Sequence, residues 1–455
     1  MEKQNVNWRV FYKQVFMLII PMALQNLINV GITATDVMML GRVGEKVLSG
    51  SSLAGQIQFI MTLFLFGITS GTTVLTAQYW GKRDTRSIEK IMAMGMVGAV
   101  GAGLIFTLAA ELFPEQLLRI YTSDPEVIAE GAKYLRVVAL SYILMCMTQV
   151  YLYIMRSIER VIIATVVYST SLVINIVLNI LLIFGTFGFP KLGILGAAVA
   201  TLTARIVEFG IVVWYATYKN KVVRFRISDM WKIDKVLFKD FIVYALPVLI
   251  NELLWGMGSS ANTAIIGHLG SAAVAANSVA QVARQLALTV AFGVSNATAI
   301  YLGKTIGEKK YELAKLYGKK FFHLSIITGA VGGILILSAA PVINRFMMLS
   351  VEAQGYLTFM FFVMSYFSLC QSINTTLIVG VLRSGGDTKY GMFVDLFSMW
   401  CFSIIAGAVA AFYFHASVKV VYVILMSDEV LKIPLSVHRF KSNKWIKNIT
   451  REIEG

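Results

Sequence analysis

The chain has 455 residues, 57% of them hydrophobic and 14% charged, with a formal net charge of +15. Roughly 25% charge is usual in soluble domains, so this composition excludes an ordinary soluble globule and indicates an integral membrane protein. Its apolar runs mostly exceed the ~20 residues a helix needs to cross a hydrocarbon core, about twice the length of a barrel strand, so the expected class is an all-α membrane bundle.

Twelve transmembrane helices are predicted, at residues 15–40, 50–79, 91–113, 134–155, 161–187, 193–217, 241–266, 273–302, 321–347, 355–382, 391–414 and 417–437. The first follows a polar start containing Lys3, Arg9 and Lys13 and runs past signal-peptide length, so no cleaved signal is expected. Residues 21–81 and 247–307 align without a gap at a constant offset of 226. The match sets Pro21 on Pro247, Gly41 on Gly267, Gly67 on Gly293 and Gly81 on Gly307, among ten identities in 61 positions. These shared residues fall at kinks and helix ends, where backbone geometry restricts the choice of side chain. A duplicated half in so apolar a chain points to a transporter of two pseudo-symmetric six-helix lobes. The expected organisation is an N-lobe over 1–217, a cytoplasmic linker over 218–240, a C-lobe over 241–437 and a basic cytoplasmic tail over 438–455. Six spans on each side of the linker give both lobes one orientation, related by an axis along the membrane normal.

The positive charge is distributed by topology. With the N-terminus cytoplasmic, inner segments hold 29 of the 40 Lys and Arg residues and the outer side eight, while Arg205, Arg284 and Lys432 fall within spans. That asymmetry predicts a multi-pass cell-membrane protein with both termini inside, and no nucleic-acid partner. The densest inner stretches, 219–239, 304–320 and 439–451, are expected to meet anionic headgroups.

Several chemistries are excluded. Thr298 stands where a phosphate-binding loop ending in Gly303, Lys304 and Thr305 would need its first Gly. Cys146, Cys370 and Cys401 form no close pair, and His268, His323, His415 and His438 lie far apart without ligand spacing. No catalytic residues, no cofactor and no enzyme activity are expected.

Ionisable and amide side chains inside spans cost several kcal/mol by rough insertion scales, which makes them functional candidates. Asp36 stands fifteen residues after Pro21 in the first span, where it can bind a cation or hold a proton, or else face headgroups at the outer end. Asn175 and Asn179, at i and i+4 on one face of the fifth span, can coordinate a cation or bridge helices. Thr201 in the sixth span can join them or bond its own backbone. Arg205 and Glu208, at i and i+3, are expected to satisfy one another. In the second half, Glu252 is expected to pair with Arg284, with Asp395 as a second possible partner, and the three are candidates for a substrate or second cation site.

The stretch from Asn175 through Leu178, Asn179 and Phe184-Gly185, then Phe187-Gly188-Phe189-Pro190, Leu192-Gly193, Gly196-Ala197-Ala198 and Ala200-Thr201, resembles the multidrug and toxic compound extrusion (MATE) family. The spacing of Pro21 to Asp36, Gly81-Lys82, the segment Gly303 to Gly307, and Leu382-Arg383-Ser384-Gly385-Gly386-Asp387-Thr388 are similar as well. The resemblance implies an antiporter that exports amphipathic, often cationic, compounds in exchange for Na+ or H+. It carries an N-lobe cation-coupling site onto Asp36, Asn175, Asn179 and Thr201, which would ligate the metal ion if the coupling ion is Na+. Many relatives place a Glu where Trp255 stands here, and an acid where this tenth span has Gln371 and Asn374, so the usual C-lobe site is not expected. A lipid-linked oligosaccharide or lipid flippase of the same superfamily is the alternative; it should carry several basic residues in its cavity. The expected partners are a small-molecule substrate and the lipid bilayer, and the expected state is a monomer.

Overall fold

The structure is a computed structural model that describes residues 7–231, 234–346 and 350–451. Lys3, residues 232–233 of the predicted linker, residue 347 of the ninth predicted span and residues 452–455 of the predicted tail lie outside it.

The described chain is helical, and no strand occurs among the described residues. In the first half, α1 (Trp8–Gly41), α2 (Glu45–Lys82) and α3 (Thr85–Leu112) are followed by a short α4 (Pro114–Arg119), α5 (Pro125–Ala139), α6 (Tyr142–Ser157), α7 (Ile162–Phe184) and α8 (Ile194–Trp214). After α9 (Ile227–Trp231), the second half begins with α10 (Lys235–His268), α11 (Ser271–Ala287), α12 (Thr289–Gly307), α13 (Tyr311–Phe346) and α14 (Val351–Thr375). It ends with α15 (Thr388–Leu396), α16 (Ile405–Ala408), α17 (Val418–Leu425) and α18 (Asp428–Lys441), with wide π-type turns joining α15 to α16.

Local chemistry sets many of the ends. Asp84 caps α3 by accepting from the Ser87 amide, Asp124 caps α5 by accepting from Glu126 and Val127, and Ser350 caps α14 at Ala353. Gly185 ends α7 in the left-handed conformation (φ 71°), returning its amide to Leu181.

Nine helices are long and apolar enough to cross a membrane, and the bent pairs α5–α6 (51°) and α11–α12 (45°) raise the number to eleven among the described residues. The twelfth predicted span, 417–437, is instead two short helices, α17 and α18, broken at Met426 and Ser427. Asp428, Glu429 and Lys432 crowd the start of α18, where the lysine pairs with both acids across one helical turn.

The described chain divides into two compact units that interleave along the sequence. The N-unit comprises Leu24–Thr76 and Asp84–Leu249; the C-unit comprises Met1–Ala23, Ala77–Arg83 and Ile250–Gly455. Both α1 and α10 stay helical through an internal proline, Pro21 or Pro247, and each changes unit two residues later. The repeat is visible inside each unit as well. In the N-unit a Cβ on Gly67 would strike Leu249, and in the C-unit one on Gly293 would crowd Ala23, the same pairing displaced by 226. Within the C-unit Gly81 lies on the Lys304 carbonyl and Gly307 on the Gln78 carbonyl, again the same pair exchanged. Glycine is retained at these crossings because helix backbones touch there.

Two basic segments are more internal than expected. In the linker, the Glu89 carboxylate accepts from the Arg224 amide at 2.8 Å, and Arg86 grips Asp229 with both terminal nitrogens at 2.6 and 2.8 Å. In the tail, Trp445 is fully buried and lies against Gly385, while Arg439 and Lys447 both reach Asp387. Arg439 and Lys447 are therefore committed to a protein carboxylate, which reduces what the tail can offer to headgroups.

Candidate functional site

The N-unit brings together the residues that the first half singles out. The α7–α8 hairpin is tight: the Leu192 amide donates to the Leu182 carbonyl at 2.8 Å, and Gly196 has no room for a Cβ beside that same carbonyl. Asn175 and Asn179 stand on α7 of this hairpin and Thr201 on α8, all three buried. Asn179 Nδ2 donates to Asp36 Oδ1 at 2.6 Å and to Asn175 Oδ1 at 3.1 Å. Asn175 and Asn179 are almost completely buried, 1% and 0% exposed. The Oδ1 of Asn179 and the Oγ1 of Thr201 are buried without a hydrogen-bond partner.

The polar layer sits between two others. One turn along each helix, Leu40, Ile183 and Ala197 close into an apolar cluster against which Tyr134 packs. One turn past Thr201, Arg205 donates to both oxygens of Glu208 at 2.9 Å, the mutual pairing expected from their spacing. Glu208 is 1% exposed, so Arg205 is neutralised beside Asp36 and not directly by it. Tyr134 on α5 was not anticipated. Its hydroxyl faces Thr201 and feels Asp36 and Arg205, although its approach to Thr201 falls short of a well-formed hydrogen bond. A lone tyrosine near the start of a span carries no spacing signal, so only packing could reveal it.

Chemically, the cluster is rich in oxygen atoms and holds one carboxylate. Asp36, Asn179 Oδ1 and Thr201 Oγ1 suit a hard monovalent cation, and the carboxylate alone suits a proton. Among the described residues no group of three or more His, Cys, Asp or Glu side chains is placed to hold a metal ion, so a conventional transition-metal centre is not built here.

The C-unit does not assemble Glu252, Arg284 and Asp395 as expected. Glu252 accepts from Arg383 Nη2 at 2.8 Å, not from Arg284. Asp395 accepts from Asn251 at 2.8 Å and pairs with Lys432 at 3.2 Å. Arg284 donates to Gln371 Oε1 at 3.2 Å and lies over the Phe367 ring. Arg383, at the end of the helical run that continues α14, is buried, and a buried guanidinium needs a carboxylate. Asp428 and Glu429, overlooked in the sequence, also hold Lys432, at 3.0 and 3.1 Å. Their signal was present as i, i+4 and i, i+3 spacing to that lysine.

A family model described as MatE matches residues 21–181 and 247–409, the two halves of the repeat. A Thermotoga maritima relative, "Probable multidrug resistance protein NorM", is 24% identical over 458 residues, covering 97% of this chain and 95% of its own. "Probable multidrug resistance protein YoeA" of Bacillus subtilis is 24% identical over 396 residues, or 86% of this chain and 84% of its own. Among solved structures, a MOP superfamily transporter from Pyrococcus furiosus superposes with a TM-score of 0.85 at 18% identity, covering 95% of this chain and 96% of that one. MATE in its straight and bent conformations gives TM-scores of 0.84 and 0.85 at 18% and 17% identity, with 95% and 96% coverage in each case.

Proposed function

The chain belongs to the MatE family of multidrug and toxic compound extrusion transporters, and from that premise we propose that it is a secondary antiporter exporting amphipathic, cationic compounds in exchange for Na+ or H+. The observation that carries this reading is the Asp36–Asn179–Asn175 chain of hydrogen bonds, with two unpartnered oxygens, on Asn179 and Thr201, beside it. A buried acceptor without a partner costs about 1–3 kcal/mol, and an arriving cation relieves two such deficits at once. Asp36 then exchanges its hold on Asn179 for the ion. Coupling follows if that ion and the exported compound favour different conformations.

The assignment of basic residues favours drug export over lipid-oligosaccharide flipping. Arg205 is matched by Glu208, Arg383 by Glu252 and Lys432 by three acids, so of these buried basic residues and Arg284 only Arg284 lacks a carboxylate partner, fewer free cations than a pyrophosphate-linked cargo requires. We place the protein in the cell membrane with both termini cytoplasmic on the distribution of Lys and Arg, and propose a monomer, in keeping with the single-chain MATE structures that it resembles.

Efflux of a cationic dye from vesicles tests the proposal. Imposing a Na+ gradient at fixed pH, and separately a pH gradient without Na+, identifies the coupling ion. Asp36→Asn should lower the gradient-driven rate by at least about tenfold at matched expression. An unchanged rate in that variant sinks the assignment of Asp36.

A further inference from the structure

Gln78 is fully buried near the end of α2, and its side chain is spent on main-chain groups far away in the sequence. Its Nε2 donates to the Ser384 carbonyl at 2.7 Å and to the Lys447 carbonyl at 3.0 Å, and its Oε1 accepts from the Ile449 amide at 2.9 Å. Two further residues of that turn reach the same segment. The Tyr79 hydroxyl accepts from the Arg451 amide at 3.1 Å, and Lys82 Nζ donates to the Arg451 carbonyl at 2.7 Å. From α12, the Ile306 carbonyl accepts from Asn448 Nδ2 at 3.3 Å. Residues 446–451, which have no regular secondary structure, therefore lie across the ends of both α2 and α12.

The turn that is fastened is where α2 changes unit: it belongs to the N-unit through Thr76 and to the C-unit from Ala77. Two things hold that turn in the C-unit. One is the crossing with α12, where neither Gly81 nor Gly307 has room for a Cβ. The other is the segment 446–451, whose own attachment has two parts of unequal strength. Trp445 is an anchor, its indole stacked on Phe440 at 6.2 Å and donating to the Phe440 carbonyl at 3.1 Å, with its own carbonyl against Gly385. Beyond it, the arm is held by the hydrogen bonds above, by the buried Ile449 and by Lys447, 50% exposed, on Asp387 at 3.1 Å. Asp387 also holds Arg439, so it keeps a partner when Lys447 leaves. Water can take over each polar contact of the arm as it peels away, but nothing outside the protein replaces the packing of the indole.

We propose that residues 446–451 are a releasable strap, hinged at Trp445 and positioned by Gln78, that holds the last turn of α2 in the C-unit and restrains opening of the cytoplasmic side in each transport cycle. A helix shared by two units follows one of them only by loosening its hold on the other, so a strap on its last turn favours one of the two alternating states. The inference rests on the cytoplasmic placement and alternating transport proposed above, and not on which ion or compound is carried.

Ethidium efflux from vesicles and hydrogen–deuterium exchange of the purified chain in nanodiscs test the strap. A chain ended after Trp445 keeps the anchor and loses the arm, so its Tm should stay within about 3 °C of the wild type. Its efflux per folded transporter should rise about threefold, and amide exchange at residues 77–83 should rise by about the same factor. Gln78→Leu in the full chain removes the same hold from the side of α2 and should also speed efflux. In the shortened chain that substitution should add less than about 1.5-fold, because the strap it positions is already gone. A role confined to stability would instead lower Tm and efflux together and let the two changes add; either result overturns the proposal. If the wild type expels ethidium and the shortened chain expels it no faster, the strap fails and the antiporter reading stands. If the wild type expels no ethidium under a Na+ or a pH gradient, the antiporter reading fails and exchange judges the strap: no rise at residues 77–83 in the shortened chain overturns it.

Discussion

The two units treat buried acids in opposite ways. In the N-unit, Asp36 is held by an amide, and the nearby Arg205 is already matched by Glu208. In the C-unit, Glu252 is held by Arg383, and Asp395, Asp428 and Glu429 by Lys432. An amide can release a carboxylate to an incoming cation at the cost of about one hydrogen bond, whereas parting a buried ion pair leaves an uncompensated charge. On the antiporter reading proposed above, the first arrangement is the one suited to exchange, and the second to holding its helices together. It can be broken by removing the key partner from each and comparing stability with transport.

The largest expected effect is at Lys432. Lys432→Met strands three carboxylates, and we expect a loss of about 3–5 kcal/mol, seen as a steep fall in Tm and in the monodisperse yield. A variant as stable as the wild type would show that the cluster needs no cation. A much smaller effect is expected at Asp36. Asp36→Asn keeps an acceptor for Asn179 Nδ2, so its stability should change by no more than about 1 kcal/mol while gradient-driven efflux falls. A fall in Tm as large as that of Lys432→Met would erase the distinction between the units.

Much of this arrangement was legible in the sequence, for identifiable reasons. Composition and run length gave the helical membrane class, and the offset of 226 reappears as the exchanged contacts of Gly81 and Gly307. Asn175 and Asn179 could be paired because a helix period places them on one face. Tyr134 could not, because it enters from another helix with no pattern of its own. Glu252 was assigned to Arg284 because both lie in spans, whereas its partner Arg383 follows the tenth predicted span and folds inward. Trp445 was similarly hidden: a lone aromatic in a basic tail gives no sign that Gly385 will make room for it. The acids at Asp428 and Glu429 were written in plain spacing and passed over because the surrounding run looked like one apolar span.

The smallest effect tests the same principle outside the membrane. Arg86 joins α3 to α9 by its bidentate hold on Asp229, and those hydrogen bonds push the Asp229 carboxyl below the usual carboxylate range. A lowered folded-state value means that the stabilisation is present above the unfolded value, near 3.9, and is lost as pH falls through the lower, folded value. Arg86 is 46% exposed, so solvent screening holds the contribution to about 1 kcal/mol or less. Arg86→Gln should therefore lower Tm slightly at neutral pH, and the difference from the wild type should shrink towards zero in strong acid. If the gap instead stayed constant down to the acid limit, Arg86 would be acting through its packing, and a partly exposed ion pair would contribute nothing that protonation can remove.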